Sequence, residues 1–285
     1  MSEIKKVGVL GCGLMGSGIV EVCARSGYDT VVREVNDEFL QRGLGRLKKS
    51  LAKGVERGKL SQDDADAANA KISGTTEISA LADCDVIIEA VSESIEIKTA
   101  VWKDVAGVAK DGAILATNTS SIPLSKLAPH SGSPESFIGL HFMNPVPVMK
   151  LVEIVKGVAT DEGVYARGKA FIESLGKTTI TAKDTPGFIV NALLVPYLCS
   201  AVRMLQDGVA TKEDIDAGLK LGCNMPMGPI TLLDFVGLDT TLAIADVLYH
   251  EFGDPRYAAP PLLRRMVELG YMGRKSGRGF YDYSK

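Results

Sequence analysis

The feature that most restricts the fold is a short apolar run that ends in a glycine-rich turn. Residues Lys6–Leu10 read as a β-strand, and Gly-Cys-Gly-Leu-Met-Gly follows at positions 11–16. Apolar residues then recur at helical spacing over residues 19–24. In such a strand, turn and helix, the glycines permit a tight turn, close approach of a pyrophosphate and close packing of helix on strand. We therefore predict a dinucleotide site with contacts from Gly11, Gly13, Leu14, Met15 and Gly16.

A second predicted strand, over residues 28–34, carries an acid at the position where such sites bind a ribose. Glu34 stands about 20 residues beyond the glycine turn, where a carboxylate accepts hydrogen bonds from the ribose diol. A carboxylate there favours NAD because it repels a 2′-phosphate. The neighbouring Arg33 keeps NADP open, since a nearby arginine accommodates that phosphate.

The remainder of the first 186 residues alternates predicted strands with predicted helices. Residues 85–91 and 113–117 are apolar enough to be buried on both faces, which is typical of parallel strands. We predict an α/β fold with a Rossmann-type, doubly wound, mainly parallel sheet. Ligands in this architecture bind past the carboxyl ends of the strands. Glu89, Glu93 and the polar residues 118–121 fall at those ends, although residues 118–121 taken by themselves are better explained as a helix-capping loop.

The character of the sequence changes at Asp-Thr-Pro-Gly-Phe, residues 184–188, and only helical patterns follow. We predict two domains, 1–186 for the dinucleotide and 187–285 as a smaller all-α domain for substrate binding and dimerisation. Residues 189–205 form a helix that is apolar nearly all round, with an expected interruption at Pro196. Such a helix is expected to be buried between domains or subunits.

Composition excludes several classes of protein. The 285 residues carry a net charge of −3, which argues against a nucleic-acid partner. No apolar run approaches the roughly 20 residues that cross a bilayer, and the N-terminus lacks a signal-like segment, so we expect no membrane association and a cytoplasmic location. The five cysteines are odd in number and lack CxxC spacing, which predicts reduced thiols without a disulfide or a metal.

Candidate chemistry is concentrated in His-Phe-Met-Asn-Pro-Val-Pro-Val-Met-Lys-Leu-Val-Glu, residues 141–153. Two apolar runs flank a proline-containing turn and read as neighbouring strands, which would bring His141 close to Glu153. A carboxylate beside a histidine fixes one tautomer and stabilises the imidazolium, as a general base requires. Taken alone, the pair could also be a buried histidine with a satisfied hydrogen bond.

Several motifs in the same order resemble those of the 3-hydroxyacyl-CoA dehydrogenases, and the short-chain bacterial 3-hydroxybutyryl-CoA dehydrogenases most closely. The resemblance covers essentially the whole chain. Its motifs are the glycine turn, Glu89-Ala-Val-x-Glu93 with Lys98, Asn118-Thr-Ser-Ser121, the segment from His141 to Glu153, Pro186-Gly-Phe-x-x-Asn191, and Gly273-Arg-Lys-Ser-Gly-x-Gly-Phe-Tyr281.

The resemblance implies a role for each matching residue. His141 is the expected general base, Glu153 its orienting carboxylate, and Ser120 and Asn191 polar groups around the reacting oxygen that also contact substrate. The implied cofactor contacts, beyond the glycine turn and Glu34, are Glu93, Lys98, Asn118, Ser120, Asn144 and Lys275. The implied contacts to the phosphorylated end of coenzyme A are Ser50, Lys53 and Arg57.

Two positions depart from the family pattern. Glu34 replaces the aspartate that is common after the second strand, and Ala192 replaces the arginine that commonly follows the motif asparagine. Neither change removes a group that the reaction needs.

The resemblance implies a cytoplasmic homodimer, joined through the helical domain, that interconverts (S)-3-hydroxybutyryl-CoA and acetoacetyl-CoA with NAD, or with NADP. Such an enzyme would serve butyrate or fatty acid metabolism. A dehydrogenase of a free 3-hydroxy acid and a dinucleotide-binding protein without catalysis remain alternatives.

Overall fold

A computed structural model describes residues 3–284 of the chain. The chain divides between Thr185 and Pro186 into two compact units, and each unit has its own hydrophobic core.

The first unit is built on a sheet that, within residues 3–284, has eight strands in the order β3-β2-β1-β4-β5-β6-β7-β8. Neighbouring strands are parallel throughout, except that β6 and β7 are antiparallel. The first six follow the 3-2-1-4-5-6 order of dinucleotide-binding folds. The strands are β1 (Lys6–Leu10), β2 (Asp29–Arg33), β3 (Ile72–Thr75), β4 (Val86–Glu89), β5 (Ile114–Thr117), β6 (Phe137–Phe142), β7 (Leu151–Lys156) and β8 (Thr178–Lys183).

Helices flank this sheet, so the predicted doubly wound α/β fold is confirmed. They are α1 (Leu14–Arg25), α2 (Asp37–Glu56), α3 (Gln62–Ala70), α4 (Ile95–Ala106), α5 (Leu124–Leu127) and α6 (Glu162–Ser174). Asn36 and Ser61 cap α2 and α3, each accepting a hydrogen bond from a backbone N–H in the first turn. Strands β4 and β5 are buried along their whole length, as their continuous apolar sequences predict.

The change of direction at β7 follows from the short connection between β6 and β7. Residues 143–150 are too few for a helical crossover, which a parallel neighbour requires, so the chain returns antiparallel to β6. In the resulting register His141 lies directly opposite Glu153. The predicted proximity of these two residues is confirmed.

The second unit contains, within its described residues, the helices α7 (Val190–Gln206), α8 (Lys212–Gly222), α9 (Pro229–Val236), α10 (Leu238–Phe252) and α11 (Pro261–Glu268). The expected interruption at Pro196 is wrong, because α7 runs through that residue. A proline removes one helical hydrogen bond, and the burial of Val195, Leu198 and Cys199 around it helps to keep the helix intact. Within the single chain Leu193 on α7 is 72% exposed, and the expected burial of this helix between domains or subunits stays a prediction.

Across residues 3–284, all five cysteines are free thiols, and only Cys223 is exposed. None of the helices in this range combines the length and hydrophobicity needed to span a membrane.

Candidate active site and dinucleotide cleft

The glycine turn joins β1 to α1 in the geometry that the sequence predicts. Gly11 has a φ of +90°, which a side chain would strain, and a Cβ at Gly16 would collide with the Gly11 carbonyl. A Cβ at Gly13 would meet no heavy atom within 4 Å. Gly13 is therefore not required by the protein's own packing. A glycine there fits the close approach of a ligand to the N-terminus of α1.

A cavity of about 670 Å³ lies beside this turn and contains the predicted ribose-binding acid. The N–H groups of Cys12 and Val35 donate to Glu34 Oε1 at 2.6 Å and Oε2 at 3.1 Å. These bonds hold the carboxylate against the glycine turn. Arg33 also lines the cavity, while its Nε donates to the Thr76 carbonyl at 3.1 Å.

Two arginines in this cavity, Arg42 and Arg46, were not among the predicted site residues. They lie four residues apart on α2, and Arg46 Nη1 donates to the Cys12 carbonyl at 3.1 Å. Gly43 between them allows the close approach, because a Cβ there would collide with Cys12. The missed signal was the spacing. Basic residues recur every three or four positions along α2, at Arg42, Arg46, Lys49, Lys53 and Arg57, and so form one basic stripe on the helix.

His141 lies between a carboxylate and a hydroxyl. Its Nδ1 is 2.7 Å from Glu153 Oε2, and its Nε2 is 3.2 Å from Ser120 Oγ. His141 is 4% exposed and Glu153 is fully buried. Because the two residues face each other across β6 and β7, the backbone register sets the geometry of the pair. An ionised Glu153 carboxylate can only accept a hydrogen bond, so Nδ1 carries the hydrogen and donates it, and the basic nitrogen is Nε2, on the Ser120 side.

Hydrogen bonds hold the loop that carries Ser120 to strand β6 and to Glu93. Asn118 Oδ1 accepts from the Phe142 N–H at 2.9 Å, next to His141 on β6. Glu93 Oε1 accepts from the Ser120 N–H at 2.9 Å and from Thr119 Oγ1 at 2.5 Å. Asn118 thus uses its side-chain oxygen within the protein and can offer a ligand its amide nitrogen. Glu93, which the sequence placed after the end of a strand, is therefore hydrogen-bonded to the loop that carries Ser120.

Glu93 and Lys98 meet the fully buried Glu89 at the end of β4. Lys98 Nζ lies 2.6 Å from Glu89 Oε1 and 3.1 Å from Glu93 Oε2, and Lys98 is only 1% exposed. Burial opposes ionisation of Glu93, yet the Lys98 ammonium and the donors of the loop outweigh it and lower the Glu93 pKa. Burial likewise opposes the charge on Lys98, and the two carboxylates outweigh it and raise the Lys98 pKa. Glu93 and Lys98 therefore stay ionised near neutral pH.

The residues that were predicted to bind coenzyme A lie on α2. Lys53 and Arg57 are exposed, Arg57 at the C-cap of the helix. Ser50 lines a small cavity of about 120 Å³ together with Asn144 and Arg46. The opposite face of α2 buries Leu40, Leu47 and Leu51 in the core of the unit. Packing of that face leaves the basic residues pointing outward.

Two predicted site residues belong to the second unit. Asn191 lies in the first turn of α7 and is half-buried. Lys275 lies in a short 3-10 turn and pairs with Asp239 at 2.5 Å. Their predicted roles rest on the resemblance of their motifs.

Comparisons with known proteins cover both units. Residues 6–185 match the family described as 3-hydroxyacyl-CoA dehydrogenase, NAD binding domain, and residues 187–283 match the 3-hydroxyacyl-CoA dehydrogenase C-terminal domain. A probable 3-hydroxybutyryl-CoA dehydrogenase of Deinococcus radiodurans is 49% identical over 98% of this chain and 100% of that protein. A 3-hydroxybutyryl-CoA dehydrogenase of Mycobacterium tuberculosis is 47% identical over 98% and 99%.

Solved structures agree with these matches. FadB2 of Mycobacterium tuberculosis superposes with a TM-score of 0.98 at 47% identity, over 99% of this chain and 100% of that one. The (S)-3-hydroxybutyryl-CoA dehydrogenase PaaH1 of Ralstonia eutropha gives a TM-score of 0.94 at 44% identity, with the same coverage. This chain belongs to the 3-hydroxyacyl-CoA dehydrogenase family of oxidoreductases, and its first unit is the family's NAD-binding domain.

Proposed function

We propose that this protein interconverts (S)-3-hydroxybutyryl-CoA and acetoacetyl-CoA by hydride transfer with NAD. The observation that carries the proposal is the position of His141, whose two ring nitrogens meet Glu153 and Ser120. The named relatives, which match this chain over nearly its whole length, support the choice of substrate.

His141 serves as the general base of this reaction. With Nδ1–H donated to Glu153, the lone pair of Nε2 accepts the proton of the substrate's 3-hydroxyl group. The imidazolium that results lies against a buried carboxylate, which stabilises its charge. In the reverse direction the same nitrogen returns the proton to the oxygen. NAD, when bound, accepts or supplies the hydride at C3.

Ser120 and Asn191 are proposed to hold the reacting oxygen. Ser120 Oγ lies within reach of the nitrogen that moves the proton, so its hydroxyl can donate to the same oxygen. The Asn191 amide offers a second donor, and its assignment rests on its motif. Hydrogen-bond donors at this oxygen stabilise the charge that develops when the carbonyl is reduced.

The first unit fits NAD on the evidence of its own residues. The cavity beside the glycine turn has room for an adenosine, and Gly13 leaves the start of α1 open. Glu34 presents a carboxylate that two backbone N–H groups hold in place. That charge would repel a 2′-phosphate, so we propose a preference for NAD over NADP. The arginines of the same cavity reduce this preference.

The decisive experiment follows the loss of NADH absorbance when acetoacetyl-CoA is added to the purified protein, with free acetoacetate as the control. Turnover with the CoA ester alone is the expected result. Turnover with both compounds would favour the dehydrogenase of a free 3-hydroxy acid. If neither compound is reduced by NADH or NADPH while NADH still binds, the protein is a binding protein.

A pair of variants on α2 tests recognition of the coenzyme A phosphates. Lys53→Glu places a negative charge in the stripe proposed to bind them and should raise KM for acetoacetyl-CoA about tenfold, since a repelled contact costs on the order of 1.4 kcal/mol. Lys48→Glu makes the same change of charge on another face of α2 and serves as the matched control. Equal KM values for the two variants would remove Lys53 from the binding site.

We further propose a homodimer through the second unit and a cytoplasmic location. Exposed apolar side chains on α7, including Leu193 at 72% and Met204 at 44%, support an interface. The five free thiols in the described residues fit a reducing compartment. Light scattering at micromolar concentration should give twice the 30.3 kDa mass of the chain. A monomer mass would contradict the first proposal, and recovery with secreted proteins would contradict the second.

A further inference from the structure

Glu89 carries a buried charge that the proposed mechanism does not use. It ends β4, is 0% exposed, and accepts hydrogen bonds from Thr117 Oγ1 at 2.7 Å and the Val91 N–H at 2.9 Å. Its third contact is the ammonium of Lys98, at 2.6 Å. A buried carboxylate is costly unless it is paired and hydrogen-bonded. Loss of the contact between Glu89 and Lys98 would leave a buried charge without its partner, so this contact holds the Lys98 ammonium in a fixed place.

Lys98 connects Glu89 to the Ser120 loop, which lies beside the proposed base His141. Its ammonium also lies 3.1 Å from Glu93 Oε2, while Glu93 Oε1 accepts from the Ser120 N–H at 2.9 Å. Ser120 Oγ in turn lies 3.2 Å from His141 Nε2. A continuous series of contacts therefore runs from Glu89 through Lys98, Glu93 and Ser120 to the nitrogen proposed to move the proton.

We propose that Glu89 is a positioning residue for the reaction: it holds the Lys98 ammonium, which fixes Glu93 and, through Glu93, the Ser120 loop that faces His141. This inference rests on the proposed function, because it assigns to Glu89 an effect on that same proton transfer. It distinguishes Glu89, which acts through other residues, from Ser120, which is proposed to touch the substrate.

The charge of Lys98 is the quantity on which this role depends. Burial favours the neutral amine, and the charges that face Lys98 are Glu89 on β4 and Glu93 on the loop. Together they raise its pKa, so the ammonium persists below that pKa and is lost as pH rises through it. Without the negative charge of Glu89, Lys98 would lose its proton at a lower pH. The Glu93 contact would then weaken within a pH range that can be assayed.

Glu89→Gln tests the proposal because it removes the charge and keeps the shape of the side chain. We expect kcat for (S)-3-hydroxybutyryl-CoA oxidation, the direction in which neutral His141 acts as the base, to fall about tenfold, with KM within about twofold, since a misplaced polar group near the reacting atoms mainly affects the transition state. The alkaline limb of the kcat profile should move down by about one pH unit or more. Thr117→Val, which removes a neutral partner of Glu89 and leaves all three charges, should keep that limb in place.

A second variant covers the case in which Glu89→Gln folds poorly. The double variant Glu89→Gln/Lys98→Met replaces the buried ion pair with neutral groups of similar size, a change that is often tolerated. It should fold, retain a low kcat, and lack any shift of the alkaline limb, because no ammonium remains to titrate. Wild-type kcat in the double variant, or a wild-type kcat and alkaline limb in Glu89→Gln, would overturn the proposal. Turnover by the unaltered protein in the same assay separates that result from a failure of the proposed function.

Discussion

Buried carboxylates in the two units have different kinds of partner. In the first unit, Glu153 meets His141, whose imidazole can both accept and release a proton. In the second unit, Asp216 accepts from the N–H groups of Ile230 and Thr231, from Thr231 Oγ1 and from Tyr281 OH. Donors of the second kind keep their protons at all ordinary pH values. The first carboxylate can therefore take part in proton transfer, while the second can only hold structure together.

Asp234 is a second buried carboxylate of the second unit, and its partners lie in and next to the C-terminal motif of residues 273–281. Its carboxylate accepts from the Phe280 and Tyr281 N–H groups at 2.9 and 2.8 Å and from Tyr283 OH at 3.1 Å. A Cβ at Gly273 or Gly279 would collide with Asp234. The glycines of this motif thus let the C-terminal segment close over α9, which gives the motif a structural role within the second unit.

The largest expected effect comes from removing the base itself. His141→Ala should lower kcat by roughly 10³-fold, within the range that general acid–base catalysis contributes. Binding of NADH, measured by fluorescence, should stay within about threefold, because the glycine turn and Glu34 are unchanged. Loss of NADH binding together with activity would instead indicate that His141 stabilises the first unit.

Glu153→Gln should produce the next largest loss of activity, about 10²-fold in kcat. The glutamine oxygen can still accept from His141 Nδ1–H, but the negative charge that stabilises the imidazolium is gone. We expect KM for acetoacetyl-CoA to change little, since the lost interaction strengthens only when the proton has moved. A variant with wild-type kcat would show that Glu153 is no more than a structural partner.

Asp216→Ala should give the opposite result, with loss of stability and retained chemistry. Four donor groups around Asp216 would lose their acceptor, which should lower the free energy of unfolding by about 3 kcal/mol. Chemical denaturation would measure this loss. The kcat of the folded fraction should stay within about twofold of the wild type. A drop in kcat comparable with that of Glu153→Gln would contradict the purely structural role of Asp216.

The smallest expected effect is a pH dependence of stability that arises at Asp234. Burial raises the Asp234 pKa above its ordinary value, and this outweighs the hydrogen bonds that favour the charged form. The native state then holds a proton that the unfolded chain has released, so this contribution to stability is present at low pH and is lost as pH rises through the folded pKa. Asp234→Asn should lack this slope in unfolding free energies measured across the acidic range. An unchanged slope would assign it to other carboxyl groups.

Local patterns predicted much of the first unit correctly. The glycine turn, the apolar strands and the caps Asn36 and Ser61 depend on neighbouring residues, so the sequence alone reveals them. The short connection after β6 predicted that His141 would approach Glu153. The motif resemblance added residues that no local pattern could assign, such as Ser50 and Lys275.

Other features required contacts between residues far apart in the sequence. Arg46 reaches the Cys12 carbonyl only because Gly43 lets α2 approach the glycine turn. The helix α7 continues through Pro196 because the residues around it are buried. Each outcome depends on packing against a distant segment, which propensity and spacing do not describe.

The sequence by itself determined the doubly wound fold, the glycine turn, the candidate base and its carboxylate, because periodicity, turn residues and short connections act over a few residues. Only the tertiary structure decided which buried charges meet. Glu89, Lys98 and Thr117 come from two strands and a helix, and their distances exist only after the sheet has formed. Electrostatic interaction between buried groups depends on separation in space and on exclusion of water, and neither quantity is set by spacing along the chain.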